Sequence, residues 1–297
     1  MIDKIIRGFF AVITAILTLF YTPTPVKNVN PDPVAEAKRV QDVTVMTYNV
    51  YISGTGEKSP ENRTPHVVEN IRRYMPDSFG LQEANSAWIE RIATEMPEYA
   101  YVGVGRDLGG GGEASPVFYK KDKFELLDSG TFWLSKSPER PSRGWDAMFN
   151  RICTYAVLRD VDTGFVYAHF NAHFDHIGVI ARLESVAVVA DKITKICNTF
   201  PVVFTGDLND YEGDDMYNRI LETGLKDTKY LAETVNGGNV TFHGYSELAK
   251  KEAPIDFIFV NNMASDVKSY TVDTTEYNGI FASDHHPVIS QMTLINA

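Results

Sequence analysis

The sequence has little cysteine. Among 297 residues only Cys153 and Cys197 occur, too few for a disulfide scaffold and too far apart for a metal knuckle. Buried free thiols are expected, a single Cys153–Cys197 disulfide being the alternative. Positive charge is also scarce: 28 Lys and Arg stand against 39 Asp and Glu, a formal net of −11. Residues 1–28 hold Lys4, Arg7 and Lys27 against Asp3 alone, so the body that follows is more acidic still. A passive nucleic-acid binder needs a basic footprint, and this chain lacks one. An enzyme that meets phosphates through bound cations stays open. No internal repeat or low-complexity tract divides the chain from Asp42 onward. The four-glycine run at 109–112 lacks the lysine and helix of a phosphate loop and reads as a flexible rim loop. What remains, 44% hydrophobic and 23% charged, is ordinary for a folded globular protein.

At the N-terminus, Lys4 and Arg7 precede an uncharged, largely apolar run of 14 residues at 8–21. That length suits a signal-peptide core and falls short of the about 20 residues of a spanning helix. No small-x-small cleavage site follows, so a cleaved signal and an uncleaved signal anchor are both expected. Either exports the body, which is then secreted or anchored to the cell membrane by the N-terminal segment. Pro23, Pro25, Pro31 and Pro33 come next and mark a linker. The division expected is 1–28 signal or anchor, 29–41 linker and 42–297 a single body.

Within the body, short apolar runs alternate with amphipathic stretches. Residues 42–50, 78–82, 99–104, 117–119, 124–127, 130–134, 152–159, 165–174, 201–205, 255–260 and 287–295 read as strands. Helical spacing predicts helices at 65–74, 87–96, 182–196 and 215–221. Strands outnumber helices and many can pair antiparallel, which predicts sheets packed on each other with helices outside.

The chemistry gathers at strand ends. Asn49 follows Val43–Met46, Glu83 follows Phe79–Leu81, and Asp207 and Asn209 follow Val202–Phe204, while Asp284 and His285 precede Pro287–Ile289. Along 167–175, alternation puts Tyr167, His169, Asn171, His173 and Asp175 on one face. Such a polar face is expected to meet water or a site, because burying it unsatisfied is costly. Asp256 sits inside the apolar strand 255–260, where it needs a partner, and His285 is a natural one. Five of the seven histidines fall in two short stretches, at 169–176 and 285–286. Histidine with carboxylates and without cysteine points to acid/base or divalent-ion chemistry, with Mg²⁺, Mn²⁺ or Ca²⁺ favoured over zinc. A zinc hydrolase built on His173, Asp175 and His176 is the weaker alternative.

Six motifs occur in one order: Thr47-Tyr48-Asn49-Val50, Leu81-Gln82-Glu83, Asn171-Ala172-His173-Phe174-Asp175, Gly206-Asp207-Leu208-Asn209, Ile255-Asp256-Phe257-Ile258 and Ser283-Asp284-His285-His286-Pro287. Together they resemble the endonuclease/exonuclease/phosphatase (DNase I-like) superfamily, and in particular a bacterial exported subgroup. The resemblance implies an α+β fold, a four-layer α/β sandwich with two packed, mostly antiparallel sheets between outer helices. It implies Glu83 as principal ligand of a catalytic Mg²⁺, with Asn49 and Asp284 near the metal. Asp207 would orient or deprotonate the attacking water, and Asn209 would fix the phosphate and Asp207. His173 and His285 would bind the scissile phosphate, with Asp256 orienting His285. The subgroup adds Arg143, Arg151, Asp175, His176 and Tyr119 as candidate substrate contacts. The function implied is metal-dependent phosphodiester hydrolysis of nucleic acid or a phospholipid head group. The alternatives are a phosphomonoesterase of a small metabolite or a non-catalytic scaffold. No protein partner is inferred.

Overall fold

The computed structural model describes residues 40–197, 199–246 and 252–296, so the N-terminal apolar run and nearly all of the linker lie outside it. Along the chain come β1 (Val40–Asn49), α1 (Pro60–Tyr74), β2 (Ser78–Gln82), α2 (Ser86–Glu95), β3 (Tyr99–Val102), β4 (Val117–Lys120), β5 (Phe124–Trp133) and β6 (Ile152–Asp160). Next are β7 (Val166–His173), α3 (Val179–Ile196), β8 (Val202–Asp207), α4 (Asp215–Glu222), β9 (Lys226–Asp227), α5 (Thr228–Leu231) and β10 (Ala232–Asn236). The last are β11 (Asp256–Val260), β12 (Ala264–Val272), β13 (Glu276–Tyr277), β14 (Ile280–Phe281) and β15 (Val288–Ile295).

Two large sheets result, ordered β10-β12-β15-β1-β2-β4-β3 and β5-β6-β7-β8-β11-β9. Pairing is mostly antiparallel; β1/β2, β7/β8 and β10/β12 are the parallel neighbours. Val45, Val117, Val203, Ile258 and Val288 pack the sheets against each other. Outside the first sheet, Val67 and Ile71 of α1 and Trp88 of α2 close over Met46, Phe79 and Phe118. Outside the second, Val186 and Val189 of α3 and Met216 of α4 close over Phe170, Phe204 and Phe257. The layers therefore run helix, sheet, sheet, helix, as the motif order implies. Cys153 and Cys197 are both buried and free.

The polar face of β7 departs from expectation. Tyr167, His169 and Asn171 are fully buried and face the other sheet, meeting neither water nor the site. They escape the cost of burial because the facing sheet and the neighbouring strand β8 offer matching groups. Tyr167 Oη donates to Ser78 Oγ (2.9 Å), which lies 2.8 Å from His169 Nδ1; His169 Nε2 is 2.8 Å from Thr205 Oγ1. Asn171 accepts from Gln82 Nε2 (2.7 Å) and donates to the Leu81 carbonyl (2.8 Å). Gly80 makes room, since a Cβ there would stand 2.3 Å from the Asn171 side chain.

Burial drives the His169 imidazole down to about 3, so the folded protein resists a proton that the unfolded chain accepts near pH 6.5. Stability is therefore lost as pH falls below about 6.5, by up to ~1.4 kcal/mol per pH unit for this one group. Urea unfolding at about pH 7, 6 and 5 should show that slope, and His169→Gln should flatten it by up to one proton. A variant slope equal to wild type would refute the assignment.

Other differences are local. Helix α1 starts at Pro60, five residues before the expected 65, because Ser59 Oγ accepts from Asn62 N and Pro occupies its first turn. The expected strands 124–127 and 130–134 are one strand, a register shift between Leu126 and Asp128 absorbing the turn. Strand β1 begins at Val40, paired with Ile295, inside the expected linker. The nine-residue β12 carries too many polar residues to stand out in the sequence, yet it joins β10 to β15.

Candidate active site

Strand register lines up the chemistry before any side chain is considered. Asp207 at the end of β8 pairs with His173 at the end of β7 on one side and with Asp256 on the other. In the facing sheet, Asn49 ends β1 beside Gln82, so Glu83 emerges next to it. The two rows meet where Asn49 Nδ2 donates to Asp207 Oδ2 (2.8 Å) and Glu83 Oε1 (3.3 Å). Glu83 and Asn209 hold positive φ, 58° and 51°, as does Tyr51 beside them at 53°. Non-glycine residues take this conformation at a cost of about 1–3 kcal/mol each, and such strain gathers at sites. Here it turns each side chain out of its strand: Glu83 Oε2 accepts from Ile52 N (2.9 Å), and Asn209 N donates to Asp207 Oδ1 (3.0 Å).

Two histidines flank Asp207. His285 Nδ1 is 2.9 Å from Asp256 Oδ2, and its Nε2 points to Asp207 Oδ2 at 3.7 Å. Burial disfavours its imidazolium, but the Asp256 and Asp207 carboxylates outweigh burial and hold it above its usual range. His285 therefore carries the proton that these three groups share. Burial raises the Asp207 carboxyl against the pull of His285, with Asp256 adding to the rise. On the other side, Asn209 Nδ2 lies 2.9 Å from His173 Nε2, which leaves the ring proton on Nδ1, facing Glu113 Oε2 at 3.9 Å. Burial, then the Arg151 and Arg106 charges, keep His173 neutral.

These groups open on a cavity of about 580 Å³ whose lining includes Glu83, Glu113, His173, Asp207, Asn209, Asp284 and His285. Arg106, Phe149, Arg151 and His176 form another part of its wall. Asp175 does not line the cavity. It accepts from the backbone N–H of Met148, Phe149, Ile177 and Gly178 and pairs with Arg151 Nε (3.3 Å), so it shapes the loops that carry the wall. Arg143 is exposed away from the cavity. Tyr119 is buried in the core between the sheets, because on β4 it points opposite to Phe118 and inward. The remaining residues expected at the site come together, with Asn49 and Asp256 just beneath its surface.

Several functional residues escaped the sequence reading. Arg106 and Glu113 face each other because the 109–112 glycine run is a closed hairpin turn, not an open loop: Arg106 N donates to Glu113 O (2.9 Å) and Asp107 N to Gly111 O (2.9 Å). Their side chains then pair at 2.7 Å. Arg63 is also buried, and all its N–H groups go to backbone carbonyls. Nε donates to Lys58 (2.7 Å), Nη1 to Val50 (2.6 Å) and Ala282 (3.0 Å), and Nη2 to Tyr51 (2.6 Å) and Ser53 (2.9 Å). It ties the loop of Tyr51 and Ile52 to the segment carrying Asp284. Its signal would have been a lone Arg in the first turns of a helix otherwise anchored by prolines. Arg63→Met keeps the volume but strands five carbonyls, and should cost ~3–5 kcal/mol in urea unfolding. A loss under about 1 kcal/mol would show the staple to be dispensable.

The donor set fits a hard divalent cation. Burial raises the Asp284 carboxyl, and the nearby Glu83 carboxylate adds to that against the pull of His285, so two acids crowd together where a cation would relieve them. No cysteine lines the cavity. Asp207, Asp256 and His285 also bring ligand atoms within 4.8 Å of one another and could bind a metal. Their mutual hydrogen bonding, with His285 Nδ1 committed to Asp256, makes Glu83 and Asp284 the better-suited pair.

Comparison with known proteins agrees with this geometry. The model of the endonuclease/exonuclease/phosphatase family matches residues 46–285. A solved Bacteroides vulgatus endonuclease/exonuclease/phosphatase is 34% identical, with 86% of this chain and 99% of that chain covered and a TM-score of 0.82. The Bacteroides thetaiotaomicron mannosyl-6-phosphatase is 33% identical, with 84% and 99% covered and a TM-score of 0.79. A curated relative, an uncharacterized protein of Acanthamoeba polyphaga mimivirus, is 25% identical over a 222-residue alignment, with 62% of this chain and 32% of that one covered. The chain thus spans about a third of that relative's length. Members of the matching family are metal-dependent hydrolases of phosphate esters. The protein described here belongs to the endonuclease/exonuclease/phosphatase family.

Proposed function

We propose that the protein is a divalent-cation-dependent phosphomonoesterase of a small, polyhydroxylated phosphate ester, working outside the cytoplasm. The observation that carries this reading is the cavity itself. At about 580 Å³, it has the size of a small-molecule site. Its lining combines an acid cluster with two arginines, in a chain of net charge −11. A polymer would need a basic track beyond the pocket; a sugar phosphate needs only the pocket. The likeness to a mannosyl-6-phosphatase supports the same choice over the diester expected from the motifs. The apolar run at 8–21 supports export.

In this reading the phosphoryl group lies between His173 and His285. Asn49 and Asn209 fix the two oxygens of Asp207, so the carboxylate can take the proton of a water that attacks phosphorus. A P–O bond to the water forms, the P–O bond to the ester oxygen breaks, and that oxygen leaves as the alcohol after taking up a proton. Protonated His285, held by Asp256, faces the growing oxyanion charge. Glu83 and Asp284, with Asn49 beside them, would hold Mg²⁺ or a substitute, which neutralises phosphoryl charge and lowers the pKa of a bound water.

The test uses the full chain, stripped with chelator and then given Mg²⁺, Mn²⁺ or Ca²⁺. Hexose 6-phosphates and p-nitrophenyl phosphate are compared with bis(p-nitrophenyl) phosphate, DNA, RNA and sphingomyelin. The expected result is chelator-sensitive hydrolysis with monoesters favoured at least about tenfold in kcat/KM. Preference for any diester, or activity indifferent to chelator, would overturn the reading. Cell fractionation with sequencing of the mature N-terminus tests export; a cytoplasmic protein with residues 1–28 intact would refute it.

A further inference from the structure

The part of the cavity wall made by Arg106, Phe149, Arg151 and His176 stands outside the set of groups assigned to activating water. Phe149 lies against two guanidiniums, with Arg106 at 4.8 Å and Arg151 at 5.9 Å from its ring centre, and stacks on His176 at 5.8 Å. Arg151 is only 5% exposed. Its Nε goes to Asp175 (3.3 Å) and its Nη2 to His176 Nδ1 (3.0 Å), but Nη1 meets no acceptor. A buried guanidinium nitrogen without a partner is a marked exception, because its N–H groups have surrendered water for nothing. The cavity that Arg151 lines is also lined by His173 and His285.

We infer that Arg151 is the specificity-determining residue that reads the third terminal oxygen of a phosphomonoester; this rests on the monoesterase reading above. A monoester dianion presents three terminal oxygens, whereas a diester presents two and one charge fewer. His173, His285 and the cation held at Glu83 and Asp284 can serve two oxygens in either ester. The third exists only in the monoester, and a planar cation with an unused N–H edge matches it. Phe149 sets the position of that edge, being the surface on which both guanidiniums rest. Discrimination of this kind is strong because a diester leaves the charged donor unpaired.

The experiment measures kcat/KM of the full chain, with Mg²⁺, for p-nitrophenyl phosphate and bis(p-nitrophenyl) phosphate. It also measures competitive inhibition by inorganic phosphate and by dimethyl phosphate. Arg151→Met should lower monoester kcat/KM by about 10²–10³ and leave the diester within about threefold. Its inhibition by inorganic phosphate should weaken by a similar factor, with dimethyl phosphate unchanged. Because Arg151 is buried, melting of the variant is followed alongside. Phe149→Leu, at an exposed position, serves as the second probe, with a monoester loss of about tenfold and no diester loss expected. An equal fall for both esters in the folded variants, or no fall for either, would overturn this inference and leave the monoesterase reading standing. A wild-type enzyme that prefers the diester overturns both.

Discussion

Asp207→Asn is expected to fold as wild type does and to lose at least about 10³-fold in kcat, with KM changed little. The amide matches the carboxylate in shape, but only its one oxygen can still accept, so it keeps one of the two bonds that Asn49 Nδ2 and Asn209 N donate to the wild-type carboxylate. It cannot take a proton. Burial already raises the Asp207 carboxyl toward its neutral form, so relief of the buried charge offsets the lost bond and the lost pull on His285, and the melting temperature should fall by no more than a few degrees. Loss of activity with so little loss of stability is the pattern of a reacting group, not of a structural one. A folded Asn variant within about tenfold of wild-type kcat would remove Asp207 from the chemistry.

The second large effect is expected at Glu83. Glu83→Gln should cost about 10²–10³ in kcat/KM and should weaken the divalent-cation requirement. It has a companion in stability. Glu83 and Asp284 are crowded acids, so without divalent cation the Gln variant should melt higher than wild type. Adding Mg²⁺ should then raise the melting temperature of wild type and not that of the variant, since a ligand that binds only the folded state stabilises it in proportion to ln(1 + [L]/Kd). Equal cation-induced shifts in both proteins would place the ion elsewhere, with the Asp207, Asp256 and His285 group as the next candidate.

Much of this site was legible in the sequence because its residues sit at the ends of apolar runs. A short buried strand and the polar residue that follows it form one continuous piece of sequence, so Asn49, Glu83, Asp207, Asn209 and the Asp284-His285 pair could be found strand by strand. The partnership of Asp256 with His285 was legible too, because a carboxylate inside an apolar strand demands a partner. Register was not. Nothing local says that His173, Asp207 and Asp256 stand abreast, or that Arg106 meets Glu113 across a hairpin. Periodicity tells which face of β7 a residue occupies but not what lies opposite. Tyr167, His169 and Asn171 therefore read as groups facing water or a site, while the other sheet supplies Ser78 and Gln82, and the neighbouring strand β8 supplies Thr205, to satisfy them. Tyr119 failed for the same reason, a correct strand with its facing surface unknown. Arg63 was hidden because its partners are backbone carbonyls, which carry no sequence signature.

The measurement that tests the central claim most directly is a single turnover of a phosphomonoester by the full chain, with Mg²⁺, in water enriched in ¹⁸O. The products are read by isotope-shifted phosphorus resonance and mass spectrometry. Attack of an Asp207-activated water on phosphorus predicts one solvent oxygen in each phosphate released and none in the alcohol, with the rate lost in Asp207→Asn and on chelation. Solvent oxygen in the alcohol, or an undiminished rate in either control, would contradict the account.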